Sequence, residues 1–74
     1  MALRKNGIDA SAVIAFIVEK DGTTSEAQVV KTTDEEFGEA ARQSILRRRY
    51  SPPKKGGQPV RIAVEEPLGF MIDR

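Results

Sequence analysis

The chain has 74 residues and a formal net charge of +1, and a domain of this size buries only roughly 60% of the surface that its unfolded chain exposes. It contains no cysteine and no histidine, so disulfides and the usual zinc, haem and iron–sulfur ligand sets are excluded, and we expect no cofactor. No apolar run approaches the ~20 residues that span a bilayer. We therefore expect a single domain over residues 1–74, excised from a longer protein.

The N-terminal part of the chain predicts a lead-in followed by a central strand. Residues 2–8 fit either one short helical turn or an irregular segment, because Asn6-Gly7 is a break signal. From Ala12 to Glu19 the residues are mostly β-branched, aromatic or small and apolar, and both alternating faces are apolar. A strand that is apolar on both faces is expected at the centre of a sheet.

A hairpin follows this strand. Asp21-Gly22 lies between two runs of strand-forming residues, and a glycine after an aspartate is a strong signal for a tight turn. We predict the second strand from about Thr24 to Lys31. Its polar side predicts an edge position in the sheet.

The next segment predicts a helix. Thr33 and Glu36 fit a capping box, and acidic residues at a helix start favour the positive end of the helix dipole. An apolar stripe at three- and four-residue spacing, including Phe37 and Ile45, predicts a helix that runs to about Arg48 and packs on one face of the sheet.

The remaining chain predicts a loop and a third strand. The prolines and glycines of residues 51–59 predict a surface loop without regular structure. Val60–Val64 and Leu68–Ile72 then predict one strand that is interrupted at Glu65-Glu66-Pro67. Because a proline inside a strand cannot donate to the ladder, this strand should lie at an edge or carry a bulge.

These elements predict an α+β fold of the order β-β-α-β. The hairpin places the second strand beside the first, and the crossover through the helix places the third strand on the free side of the first. We therefore expect a three-stranded antiparallel sheet in the order second, first, third, with one helix covering one face.

The residues at the joints of these elements resemble the C-terminal domain of TonB-type energy transducers over nearly the whole chain. The matching stretches are Gly7-Ile8-Asp9-Ala10, Ile14-x-Phe16-x-Val18-Glu19-x-x-Gly22, Val29-Val30-x-Thr32-Thr33, Phe37-x-x-x-Ala41, Arg47-Arg48-Arg49-Tyr50-x-Pro52, and Gly57-x-Pro59-Val60 leading to Pro67-Leu68-x-Phe70. The clearest departure is Arg48, which stands where members of that family usually have tryptophan.

This resemblance implies a periplasmic binding domain whose parent protein is anchored in the inner membrane beside proton-driven motor proteins. Such a domain engages outer-membrane proteins, and the physical basis would be addition of a partner strand to the edge of the last strand. We expect the partner to contact Val60, Arg61, Ile62, Ala63, Val64, Leu68 and Phe70. A proline at Ile62 is expected to abolish peptide binding and to leave the fold intact.

The alternative to this interpretation is a structural or assembly module, TolA-like or a motility-machine linker, that acts through homodimerisation or cell-wall contact. A second copy of the chain could pair with the edge, which would give a homodimer. The cations Arg47, Arg48, Arg49, Lys54 and Lys55 could instead contact an anionic cell-wall polymer. Nucleic acid is disfavoured, because three consecutive helical arginines point in three directions and no recognition motif accompanies them.

Catalysis is not expected. The carboxylates that could perform acid–base chemistry are Asp34, Glu35, Glu36, Glu65 and Glu66. They lie at a predicted helix start or beside a proline, where capping and solvation explain them. We therefore predict a protein that is not an enzyme.

Overall fold

The computed structural model describes the backbone of residues 8–71 and the side chains of residues 10–69. The elements in chain order are β1 (Ile8–Val18), β2 (Thr24–Thr32), α1 (Glu35–Leu46), β3 (Lys54–Lys55), β4 (Gln58–Pro59) and β5 (Ile62–Met71). The helical turn considered for residues 2–8 lies outside the described residues except at Ile8, where β1 begins.

The main sheet has the predicted order. Antiparallel strands β2 and β5 flank β1, so β1 is central and β2 and β5 are the edges. Alternate residues of β1 form the core with two residues of α1, as expected for a central strand beneath one helix. The buried cluster is Ala12, Ile14, Phe16, Val18, Ala41 and Ile45.

The β1–β2 turn requires a glycine at position 22. Gly22 has φ of +89°, and a Cβ there would lie 2.4 Å from the carbonyl oxygen of Tyr50. The amide of Tyr50 in turn donates to the Gly22 carbonyl at 2.9 Å. The turn therefore docks against the chain that leaves α1, which a side chain would prevent.

Strand β2 is irregular. Its register against β1 shifts twice, between Val13 and Ile14 and again between Ala15 and Ile17. Near the second shift, Glu26 has φ of +53°, which is uncommon for a residue other than glycine. The irregularities lie on β2, because β1 keeps an unbroken register with β5 from Ala10 to Val18.

The cap of α1 differs from the predicted one. Asp34 is the N-cap, and its carboxylate accepts from the amide of Glu36 at 2.9 Å. Thr33 is not free to cap, because its hydroxyl oxygen accepts from the amide of Ser11 at 3.0 Å. The helix ends at Leu46, two residues earlier than predicted, where the amide of Arg47 donates to Ser44 at 3.1 Å and tightens the last turn.

Helix α1 packs mainly on β1 and β2. Ile45 is fully buried and Ala41 nearly so. At Gly38 the helix approaches β2 so closely that an added Cβ would lie 3.0 Å from the methyl group of Thr32. The helix thus covers one half of the sheet more fully than the other.

Two expectations for the C-terminal half were wrong. Residues 51–59 are not wholly irregular, because β3 and β4 pair as a small hairpin around Gly56 and Gly57, both with positive φ. The third strand is also not interrupted, because β5 runs through Glu65, Glu66 and Pro67 with each residue paired to β1. Its predicted position at an edge is confirmed.

Candidate functional site

The candidate site is the outer edge of β5. Strand β5 is ten residues long and pairs with β1 along one side. Among residues 8–71, no strand pairs with its other side. An uncovered edge of this length presents a row of backbone donors and acceptors that can accept another strand.

The hydrogen bonds of β1 determine which residues of β5 point outward. The amide and carbonyl of Ser11 both face β2, because they bond to the hydroxyl and the amide of Thr33, each at 3.0 Å. Backbone groups alternate sides along a strand, so the even-numbered residues of β1 face β5. They pair with even-numbered residues of β5, as Phe16 does with Val64. The odd-numbered residues Ala63, Glu65, Pro67 and Gly69 therefore direct their backbone groups to the free edge.

Pro67 supports the same assignment independently. It pairs with Val13 in the middle of a continuous ladder, yet it has no N–H to donate. A proline is tolerated inside an edge strand when its nitrogen faces away from the neighbouring strand. The free edge thus has donors at Ala63, Glu65 and Gly69 and a missing donor at Pro67.

The residues predicted to contact a partner divide into four groups. Val60 and Arg61 precede β5, and the amide of Val60 donates to the carbonyl of Pro53 at 3.0 Å. Ile62, Val64 and Leu68 pair with β1 and have side chains on the helix side of the sheet, whereas Ala63 directs its backbone outward. For Phe70 the backbone pairs with Ala10, but the side chain lies outside the described residues.

The sequence-based prediction missed Glu65 because it placed an interruption at 65–67. It missed Gly69 because, after Pro67, it selected only the large apolar residues Leu68 and Phe70.

The prediction that a proline at Ile62 would block peptide binding and leave the fold intact was also wrong about the fold. Ile62 pairs with Val18, so its amide faces β1 and a proline there would remove a bond inside the sheet. Glu65 is the position where a proline removes an outward donor.

A groove of about 340 Å³ runs beside the first half of β5 on the helix side of the sheet. It exists because α1 covers β1 and β2 and leaves β5 to the segment that follows the helix. The residues that line the groove are Val18, Tyr50, Ser51, Pro53, Ile62, Val64, Glu65 and Glu66. Ile62 is 41% exposed there, which is high for a large apolar side chain.

A polar cluster that includes Tyr50 and Glu66 lines part of this groove. The Tyr50 hydroxyl donates to one carboxylate oxygen of Glu66 at 2.7 Å, and Nη1 of Arg48 donates to the other at 2.7 Å. The Tyr50 ring lies 5.5 Å from the ring of Phe16 in a tilted arrangement. The tyrosine therefore joins the core to β5, and Arg48 forms an ion pair with the strand.

The same contacts shift the ionisation of the cluster. The hydrogen bond from Tyr50, with that from Arg48, lowers the pKa of the Glu66 carboxyl. Burial, followed by the hydrogen bond to Glu66, raises the pKa of Tyr50. At neutral pH the cluster thus holds a carboxylate, a guanidinium and a neutral phenol.

Arg61 is held on the opposite face of the sheet. Its guanidinium donates to both carboxylate oxygens of Glu19, at 2.9 and 3.2 Å. The hydrogen bonds from Arg61 and then from Ser25 lower the pKa of Glu19. Arg61 therefore connects the start of β5 to the β1–β2 hairpin, and Glu19 partly neutralises the charge of Arg61.

The five residues predicted to contact an anion differ in their exposure and pairing. Arg48 is engaged with Glu66. Arg47, Arg49, Lys54 and Lys55 are exposed, and none of them has a carboxylate of the described residues within ion-pair distance. Four solvated cations remain available near the exit of α1 and on the small hairpin.

The carboxylates weighed for catalysis lie at the start of α1 and in β5. Asp34 caps α1, Glu35 and Glu36 lie in its first turn, and Glu66 is paired with Arg48. Among the side chains of residues 10–69, no group of three acidic residues is arranged to hold a metal ion. In the same stretch no helix has the length and apolarity needed to cross a bilayer.

The fold defines a small α+β domain in which one helix packs on a three-stranded antiparallel sheet. A model of the C-terminal region of Gram-negative bacterial TonB proteins matches residues 1–72. Because the match covers nearly the whole chain, the protein belongs to that family, and the predicted resemblance is confirmed. The family consists of periplasmic, non-enzymatic transducer and binding domains. No curated protein gives a significant match to the chain.

Proposed function

We propose that this domain binds an extended segment of an outer-membrane or other envelope protein by strand addition at the outer edge of β5. The parent protein, anchored in the inner membrane, would then pass work from a proton-driven motor to that partner. The observation that carries this proposal is the regular outer edge of β5, with outward backbone groups at Ala63, Glu65 and Gly69.

Main-chain pairing suits a mechanical role. An added strand gains affinity from hydrogen bonds to the edge, and its alternate side chains supply specificity. Because a pull along the strand is shared among several parallel bonds, the joint resists load better than a single contact. The tie between Arg61 and Glu19 and the tie between Arg48 and Glu66 anchor β5 to the rest of the domain on both faces of the sheet.

The groove supplies the specificity in this proposal. A strand that pairs with Ala63 and Glu65 lies alongside the groove, so alternate side chains of the partner face Ile62 and Val64. These are partly exposed apolar side chains. We therefore expect a partner segment with apolar residues at alternate positions.

The experiment is an amide NMR titration of the 74-residue chain with peptides from outer-membrane receptors. Wild type should show shifts that cluster on β5, and Glu65→Pro should weaken binding at least tenfold because it removes an outward donor and clashes with the added strand. Glu65→Ala is the matched control, since it removes the side chain and keeps the N–H. Equal binding by wild type and Glu65→Pro would contradict the proposal.

A second candidate function is cell-wall contact within an assembly module. The four exposed cations Arg47, Arg49, Lys54 and Lys55 favour it, because they are free to meet an anionic polymer. Replacing all four by glutamine should then abolish binding to cell-wall fragments and leave the β5 titration unchanged. Loss of receptor-peptide binding in that variant would instead assign these cations to the strand-binding site.

A further inference from the structure

The two acidic side chains of β5, Glu65 and Glu66, differ in their surroundings. Glu66 accepts hydrogen bonds from Tyr50 and Arg48 on the helix side of the sheet. Glu65 is exposed, and no cation among the side chains of residues 10–69 lies within ion-pair distance of it. The strand thus carries one neutralised carboxylate and one that is free to form an ion pair with a partner.

The side chain of Glu65 lies on the face of the sheet that α1 does not cover. Side chains alternate between the two faces of a strand, and Val64 and Glu66 lie on the helix side, where Val64 packs against the core and Glu66 bonds to Tyr50. The neighbours of Glu65 on the uncovered face are small or apolar, namely Ala15 directly across in β1 and Ala63 and Pro67 two positions away along β5. Glu65 is therefore a lone carboxylate among apolar groups.

A strand added to the outer edge of β5 would bring a side chain close to Glu65. The backbone of Glu65 faces that edge, and neighbouring strands lie about 4.8 Å apart, so a partner residue on the same face comes within reach of the carboxylate. A lysine or arginine there can lay its aliphatic stem on Ala63 or Pro67 and hold its charged group at Glu65. An acidic residue in the same place would face Glu65 with like charge, which is unfavourable.

We propose that the β5 edge selects a partner segment with a lysine or arginine beside Glu65 on the uncovered face of the sheet. This inference rests on the strand-addition function proposed above and deepens it, because it assigns the chemistry of both faces of the added strand. Apolar residues face Ile62 and Val64 on the helix side, and a basic residue faces Glu65 on the other. A pair of opposite charges across two strands corresponds to at most roughly fivefold in affinity, so Glu65→Ala should weaken binding less than Glu65→Pro.

The test is an amide NMR titration of the 74-residue chain with short capped peptides in which valine alternates with one variable residue. The variable residue is lysine, glutamine or glutamate, and alternation places all of its copies on one face of the added strand. Wild type should bind the lysine peptide roughly threefold more tightly than the glutamine peptide and roughly tenfold more tightly than the glutamate peptide. This preference should shrink in about 1 M salt, where the Debye length falls to about 3 Å.

Variants separate a contact with Glu65 from the general charge of the domain. Glu65→Gln should bind the lysine and glutamine peptides equally, and Glu65→Lys should bind the glutamate peptide most tightly. Glu36→Gln is the matched control, because it removes the same charge from the first turn of α1 and should keep the wild-type order.

Equal binding of the three peptides by wild type, or an unchanged order in Glu65→Lys, would overturn the inference and leave strand addition intact. Binding at β5 by receptor peptides alone, without the lysine peptide, would overturn it as well. Absence of shifts in β5 with the designed peptides and with the receptor peptides would instead overturn strand addition itself. Failure of the inference is therefore distinguishable from failure of the proposed function.

Discussion

The two edges of this sheet differ in regularity although both flank the same central strand. Strand β2 shifts register twice and holds Glu26 at positive φ, whereas β5 keeps one register with β1 from Ile62 to Phe70. Bulges put the outward groups of an edge out of step with an incoming strand and are a common way to prevent pairing. The contrast indicates that β2 is a protected edge and that β5 is the open one.

The two halves of the sheet also differ in what packs on them. Helix α1 lies over β1 and β2, while β5 is held by Tyr50, Arg48 and the contact of Arg61 with Glu19. The half that α1 covers therefore carries the irregular edge, and the half beside the Tyr50 groove carries the regular edge. Stability and binding are expected to respond separately to changes in the two halves.

Truncation of a buried side chain in the half of the sheet that α1 covers should have the largest effect on the free energy of unfolding. Ile45 is fully buried between α1 and the sheet, so Ile45→Ala should lower the free energy of unfolding by about 4 kcal/mol. Ile62→Ala, in the open half and 41% exposed, should cost less than about 1 kcal/mol. Urea denaturation of both variants checks this difference, and similar losses at the two positions would contradict the division into halves.

The next largest effect on stability is expected from proline substitutions in β5, and two adjacent positions should differ in how much stability they lose. The amide of Val64 faces β1, so Val64→Pro removes a bond inside the sheet and should cost about 3 kcal/mol. The amide of Glu65 faces the free edge, so Glu65→Pro should cost less than about 1 kcal/mol in the absence of a partner. Equal losses in urea denaturation would show that the assignment of outward residues is wrong.

Removal of the charge on Glu66 should have a moderate, pH-dependent effect. At neutral pH, Glu66→Gln should cost about 1 kcal/mol, because it weakens bonds to Tyr50 and Arg48. Since the folded pKa of Glu66 lies below its ordinary value of 4.5, the stabilisation is present above about pH 4.5 and is lost as the pH falls through the folded pKa. In thermal unfolding measured at decreasing pH, the melting temperature of wild type should therefore approach that of Glu66→Gln. A constant difference from pH 7 to acid would contradict this account.

The smallest effect is expected at the β2 bulge. Glycine adopts positive φ without a steric penalty, so Glu26→Gly should stabilise the fold by about 0.5 kcal/mol. The contact of Glu26 with Arg61, at 3.5 Å between exposed groups, should contribute little. Thermal unfolding measures the change. A loss of stability would mean that the ion pair outweighs the backbone strain.

The sequence predicted the features that depend on local patterns. The two apolar faces of residues 12–19 predicted the central strand, and Asp21-Gly22 predicted the hairpin, because alternation and turn chemistry depend on neighbours along the chain. The sequence predicted Thr33 as the N-cap of α1, whereas the N-cap is Asp34. Thr33 does not cap the helix because its hydroxyl oxygen accepts from the amide of Ser11, a residue distant in sequence.

The continuity of β5 could not be predicted for a related reason. Whether Pro67 breaks a strand depends on which side its nitrogen faces, and that side is fixed by the register of β1 with both of its neighbours. Only the pairing shows that Pro67 faces the free edge. The edge itself was therefore predictable from the sequence, whereas the backbone groups of Glu65 and Gly69 that complete it were not.

Amide hydrogen exchange along β5 tests the central claim most directly, because it measures the two sides of the strand separately. In the free protein the amides of Val64, Glu66 and Leu68 should exchange slowly, and those of Ala63, Glu65 and Gly69 should exchange rapidly. A receptor peptide should then slow exchange at Ala63 and Glu65. Uniformly slow exchange in the free protein, or protection by the peptide on β2 instead, would contradict the account.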